Sequence, residues 1–383
     1  MGAVTVPGPA LSGSRGTVLS LGFVATAAAA LAVTLASAVA TVVVGVILFG
    51  VLHAILELRY VAGRFSGLAL GLGRRFLGVL ALLLAGVVVS RLLVGIVGRP
   101  AQVAEIVLGY AIVCWAISRV VPAGRRGVAW ALTALAATAS LIWPDHHFLV
   151  LAQLHLLAVL AFLWDWSRRL PTARSRRVFR LVQLGWATII PLAILLGTAD
   201  AWLGADTPLV RSLVEDGHAV IEGVVPPGAA GTVLGVRLLA VFAFLQTMHL
   251  LTWVVFFPRY APDVAADLED RVPWLTGARV WAIGFLAAAF FAVLLVGDYA
   301  SGVLLHDAVT LPHAYVEVPL LLALVGRYRS RDDAVAPASV MTIEPRPAEP
   351  PVQNHLAPAG TATYRRGRAT EGGDPRSDFF RNV

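Results

Sequence analysis

Six ionisable residues stand inside stretches that are otherwise apolar: His53, Glu57, His155, His249, His313 and Glu317. Ionisable groups in the hydrocarbon of a membrane are costly, and by default they mark function. Two segments share a pattern, His53-Ala-Ile-Leu-Glu57 and His313-Ala-Tyr-Val-Glu317. A spacing of four puts both side chains on one helix face. An imidazole and a carboxylate at that spacing form a half-site suited to iron or zinc. Neutral histidine keeps a nitrogen lone pair without carrying a charge into a low dielectric. The plainer reading of one intramembrane histidine is a hydrogen bond across a helix pair. Four on four separate segments fit that reading less well, so all six residues are expected metal ligands.

Depth offers a test. At about 1.5 Å per helical residue, His155 lies about 20 Å from Arg168, His249 about 15 Å from Arg259 and His313 about 21 Å from Arg327. His53 lies only about 9 Å from Arg59 by the same rise. Three imidazoles share a depth, and tilt or a snorkelling Arg59 would bring in the fourth. His146, His147, His218 and His306, with Asp145, Asp298 and Asp307, fall at the outer boundary, where a solvated role is expected. Arg91 and Glu105 lie deeper and are expected to pair between neighbouring helices. Trp143, Trp164, Trp166, Trp202 and Trp253 read as interfacial aromatics. Trp253, one turn from His249, could also line a pocket.

These residues need elements to hold them. Hydrophobic residues make up 58% of the 383 and charged residues 14%, against about a quarter charged in soluble domains. The expected class is therefore all-α, a polytopic bundle of about nine or ten spans of about 20 residues each. Candidate spans fall at 16–36, 38–58, 76–97, 101–121, 127–143, 147–166, 178–203, 231–257, 278–304 and 309–326. From Val18 to Leu58 the only charge is Glu57, and one straight helix of that length would be about twice the hydrocarbon thickness. A break near Ser37 or Thr41 is expected, with a cleaved signal peptide as the competing reading of 16–36. A short interfacial helix is expected within Leu209 to Val225. The chain divides into an N-terminal segment 1–15, a membrane domain 16–330 and a Pro-, Arg- and Thr-rich tail 331–383 expected to be disordered.

All 30 basic residues are arginine. They cluster at 59–75, 125–126, 168–180 and 327–331, which alternate with arginine-poor links. The positive-inside rule then places both termini in the cytoplasm. Arginine use with Ala, Gly and Val richness points to a bacterial inner membrane. The scatter of the arginines argues for a lipid bilayer as partner and against nucleic acid. Cys114 is the single cysteine, so an intrachain disulfide or cysteine cluster is excluded. No P-loop, dinucleotide fingerprint, nucleophile elbow or HExxH is present.

Leu52-His53-Ala-Ile-Leu-Glu57 resembles the early PHGxLD motif of the bacterial Brp/Blh family, membrane oxygenases that cleave β-carotene to retinal. Val309-Thr-Leu-Pro-His313 resembles that family's LTxPH segment, and opens the last expected helix. Leu154-His155, in a helix ending at Asp165, is a looser match to its HFGxxD segment. Phe242 to His249 falls where the family has an aromatic-rich helix with an HxxxH pair. The departures are Leu52 for Pro, Ala54 for Gly, and Leu245 in place of the first histidine of HxxxH. The motifs cover about thirty residues. The resemblance implies His53, His155 and His249 as ligands of a non-haem iron, with His313 or Glu57 replacing the missing one. It implies an oxidoreductase, a dioxygenase acting on a lipophilic small molecule of isoprenoid or carotenoid kind.

Two other classes compete. A transporter or proton-coupled permease would use the buried His and Glu residues as a relay. A non-catalytic membrane subunit would carry histidines that do not converge in space.

Overall fold

The computed structural model describes residues 13–65, 73–204, 217–269, 272–273 and 276–334. Among the described residues there is no strand, and the chain is an all-α bundle as its composition requires. Ten helices are long: α1 (Gly13–Ala36), α2 (Ala38–Arg64), α3 (Arg74–Val97), α4 (Arg99–Val120), α5 (Ala123–Ile142), α6 (Pro144–Trp166), α7 (Ala173–Leu195), α9 (Val233–Tyr260), α11 (Gly277–Gly297) and α12 (Tyr299–Ala334). Two short ones join them, α8 (Gly217–Val224) and α10 (Pro262–Glu269). Nine of the long helices among the described residues are long and apolar enough to cross a membrane. The tenth, α5, carries Arg125 and Arg126 near its start and is not among the nine.

Backbone chemistry explains the breaks. A bilayer offers no water to orphan amides, so helices must be capped or joined tightly. At the predicted break, Ser37 is extended and its hydroxyl accepts the Ala40 N–H at 3.2 Å. Gly98, at φ 70°, is the sole residue between α3 and α4, a left-handed conformation that glycine adopts without cost. Asp298 alone separates α11 from α12, and its carboxylate accepts the Ser301 N–H at 3.1 Å.

Several boundaries differ from the expectation. The last helix opens at Tyr299, and Pro312 and Pro319 lie within it. The helix is capped at Asp298 and not opened at Val309, so the LTxPH segment lies within it. Arg59 and Arg64 belong to α2 and not to a loop, because Arg59 pairs with Glu269 of α10 and Arg64 with Asp165 of α6 at 2.8 Å. The expected interfacial helix is described only as α8, whose Val220 and the following Val225 are buried in the main core; residues 205–216 lie outside the described residues. So do 1–12 of the N-terminal segment and 335–383 of the tail.

The centre of the bundle is α9. It is the most deeply buried of the spanning helices among the described residues, whereas α3 at the periphery is mostly exposed. It packs on α1, α2, α6 and α7, while α12 packs on α2, α3, α4, α6 and α11. After His249 the helix widens into a π-helical turn at Thr252–Phe256, a feature frequent at functional sites. Trp166 is a correction to the interfacial reading. It is buried and donates Nε1–H to the Tyr260 carbonyl at 3.0 Å. Trp253 is buried too, 6.4 Å from His249 between ring centroids, whereas Trp143, Trp164 and Trp202 are exposed.

Candidate metal centre

Four helices bring the six sequence-selected residues together. His53 and Glu57 come from α2, His155 from α6, His249 from α9, and His313 and Glu317 from α12. Ring centroids of His155 lie 4.4 Å from His249 and 4.5 Å from His313. Those of His53 lie 5.0 Å from His313, 5.3 Å from His249 and 6.0 Å from His155. The depth count set His53 apart because it used Arg59 as a surface marker. Arg59 is instead an interior ion-pair partner, 10% exposed, so α2 continues past it and His53 reaches the common level.

Each imidazole is oriented through Nδ1. His53 Nδ1 faces the Phe49 carbonyl at 3.0 Å and His249 Nδ1 the Leu156 carbonyl at 3.3 Å. His313 Nδ1 bonds the Thr310 carbonyl, and His155 Nδ1 faces Glu317 Oε2 at 2.8 Å. A carbonyl oxygen only accepts, so Nδ1 of His53, His249 and His313 carries the proton and Nε2 presents its lone pair. A carboxylate on the far nitrogen does the same for His155. The Nε2 atoms of His53 and His249 and Oε2 of Glu57 are buried with no hydrogen-bond partner. Nε2 of His155 and Nε2 of His313 are 3.1 Å apart. Two lone pairs at that distance repel unless a cation or proton lies between them. Tetrahedral ligands at zinc- or iron-like bond lengths sit about 3.3 Å apart. Glu57 Oε2 is 3.9 Å from Nε2 of both His249 and His313.

Two overlapping triads emerge, His53–His155–His249 and Glu57–His155–His313, each with ligand atoms within 4.8 Å of one another. His155 belongs to both. These buried groups could hold a metal ion. Glu317, expected as a ligand, is also in the cluster. It holds His155 Nδ1, the partner position that fixes a ligand's ring, and stands outside both triads.

The surroundings differ at the two ends. Tyr60, Phe162 and Phe257, seven or eight residues after His53, His155 and His249, join Trp253 in an aromatic layer on the arginine-rich side, with Tyr60 4.3 Å from Phe257 and Phe162 5.3 Å from Trp253. All four of these side chains are buried. On the other side lies His306, which the sequence reading had assigned to the solvated boundary. It is buried against Gly50, where a Cβ would collide with its Nε2. With α12 starting at Tyr299, His306 is two turns inside the helix. Gln246, buried with its Oε1 unpartnered, was also missed. Its position three residues before His249 was the signal available.

Arg91 and Glu105 pair as expected, at 2.8 Å, with Tyr315 donating to Glu105 at 3.3 Å. Arg91 also lies over the Phe148 ring at 4.3 Å. The pair is separate from the cluster, although Tyr315 shares α12 with His313. Compared with protein-family models, with curated proteins and with solved structures, the chain matches none.

Proposed function

We propose that this membrane protein is an intramembrane metalloenzyme of the oxygenase type, acting on a lipophilic small molecule of isoprenoid character. The observation that carries the reading is the gathering of four imidazoles, each anchored at Nδ1, into two buried triads that share His155, one of them with Glu57. A non-catalytic subunit needs no such convergence. The donor set, nitrogen-rich with one carboxylate, suits non-haem iron, and the short resemblance to the Brp/Blh oxygenases supports the same metal and substrate class. Bound there, iron would supply oxygen activation. The chain's own work is to fix four lone pairs, to exclude water through the aromatic layer, and to offer Glu57 as a charge-balancing oxygen. By the positive-inside rule, the arginine-rich links and both termini would face the cytoplasm of a bacterial cell.

The test is metal analysis of the purified protein beside His53→Ala and His155→Ala. Stoichiometric iron in the native chain, lost in both variants, is the expected result. A native chain without stoichiometric iron, zinc or copper would sink the proposal. Consumption of oxygen in the presence of a carotenoid or shorter isoprenoid would then define the reaction.

A further inference from the structure

Six arginines lie between Arg168 and Arg180, where α6 ends and α7 begins. Three of them are held by the fold. Arg169 pairs with Asp263 of α10 at 2.7 Å. Arg176 donates to the Leu170 carbonyl at 2.9 Å, and Arg180 to Ser167 Oγ at 2.9 Å. These last two bonds tie the link down but end on neutral oxygens, so both positive charges stay uncancelled. The carboxylates beside the link, Asp165 and Asp263, are engaged by Arg64 and Arg169. Arg174 and Arg177 are exposed and make no hydrogen bond or ion pair with a described residue. The start of α7 therefore carries Arg174, Arg176, Arg177 and Arg180 with no carboxylate paired to any of them among the described residues.

The rest of α7 shows what kind of molecule would meet these charges. Val178, Leu181, Leu184, Ile189 and Leu192 are exposed, whereas Phe179, Gln183, Trp186 and Ile194 are buried against the bundle. At about 3.6 residues per turn, Arg174, Arg177, Val178, Leu181 and Leu192 line one face of the helix. That face begins with two guanidinium groups whose Cβ atoms stand about 5–6 Å apart, the distance for residues three apart. It continues as apolar side chains turned toward the bilayer. Arg74 and Arg75 at the start of α3 are exposed as well. As chain neighbours, however, they do not face each other across the helix surface.

We propose that the start of α7 binds the headgroup of an anionic phospholipid. Arg174 and Arg177 take the phosphate, and the acyl chains run along Leu181, Leu184 and Ile189. The planar fork of arginine matches phosphate oxygens two at a time. Basic side chains at a membrane surface attract anionic lipid, each adding to the attachment. A zwitterionic lipid carries its own cation beside the phosphate, which the surplus guanidinium charge repels. A soluble anion would meet the same arginines but gain nothing from the apolar stripe that follows them. The order along α7, cations and then exposed apolar residues, therefore favours a lipid. The site shares no residue with the metal centre and does not depend on the metalloenzyme reading.

The experiment uses the full-length protein, delipidated in a neutral detergent and titrated with phosphatidylglycerol or phosphatidylcholine. Native mass spectrometry counts the lipids bound. Saturable binding of phosphatidylglycerol is expected, about 25-fold tighter than phosphatidylcholine, from about fivefold for each of two arginines. Arg174→Gln/Arg177→Gln should bring phosphatidylglycerol down to the level of phosphatidylcholine. Arg74→Gln/Arg75→Gln removes the same charge elsewhere and should leave the preference in place. Arg174→Lys/Arg177→Lys keeps the charge but loses the two-point fork, and should give an intermediate preference. That variant also carries the test if the glutamine pair lowers the unfolding temperature of the lipid-free protein. Glycerol 1-phosphate, a headgroup without tails, should not bind at concentrations that saturate the lipid. Equal loss in the glutamine pairs at α3 and α7 would reveal a general surface potential and overturn the proposal. Equal binding of the two lipids would overturn it too, as would glycerol 1-phosphate binding as tightly as phosphatidylglycerol.

Discussion

Two buried sets of ionisable side chains share the bundle, and their charge balance differs. Arg91 and Glu105 form a closed pair, one cation against one anion, completed by the Tyr315 hydroxyl. The cluster around His155 gathers two carboxylates and four imidazoles with no arginine among its contacts within the described residues. The first is complete as folded. The second has imidazole lone pairs and a carboxylate oxygen facing inward without hydrogen-bond partners, a set that could hold a divalent cation. The difference separates a structural ion pair from a set of groups that could hold a metal ion, though both look alike as charges in apolar sequence.

The largest effect that tests this contrast is at His155, the residue common to both triads. His155→Ala should take bound metal from stoichiometric to background by elemental analysis, while Arg91→Met leaves the metal in place. Arg91→Met should instead destabilise the fold by about 3–5 kcal/mol, since it strands the fully buried Glu105 charge. Thermal unfolding in detergent would read this, and the double variant Arg91→Met/Glu105→Gln should recover most of it. Equal metal loss in both variants would erase the distinction between the two sets. A smaller effect is expected at Glu317, which orients His155 through Nδ1. Glu317→Gln should weaken metal affinity about 10- to 100-fold in a chelator competition without abolishing binding. Complete loss would make Glu317 a ligand.

The smallest effect concerns a third kind of carboxylate, at the rim. Asp298 accepts from the hydroxyl and backbone N–H of Ser301, and these hydrogen bonds hold its pKa below the usual value. A depressed folded pKa means that its stabilisation is present above the ordinary carboxylate range and is lost as pH falls through the folded value. Asp298→Asn should flatten that part of the acid limb of a pH–stability curve and leave metal content unchanged. An acid limb identical to that of the native chain would show that the cap contributes nothing measurable.

Much of this was legible in the sequence. Apolar runs of membrane length gave the helices, Ser37 marked the first break, and the rarity of ionisable residues in those runs singled out the six cluster members and the Arg91–Glu105 pair. Other features were not legible. Arg59 looked like a loop marker because its partner, Glu269, is 210 residues away. His306 looked solvated because the segment from Val309 reads as the opening of the last helix, whereas Asp298 caps that helix eleven residues before Val309. Trp166 looked interfacial because its acceptor is the Tyr260 carbonyl on another helix.

By itself, then, the sequence determined the class of the protein and the identities of its costly residues, because burial in lipid is decided by local composition. Only the tertiary structure decided which nitrogen of each histidine faces inward, that Glu317 orients while Glu57 points at the imidazoles, and that His53 shares their level. Those outcomes depend on carbonyls and carboxylates supplied by distant turns and neighbouring helices, and no spacing along one helix encodes them.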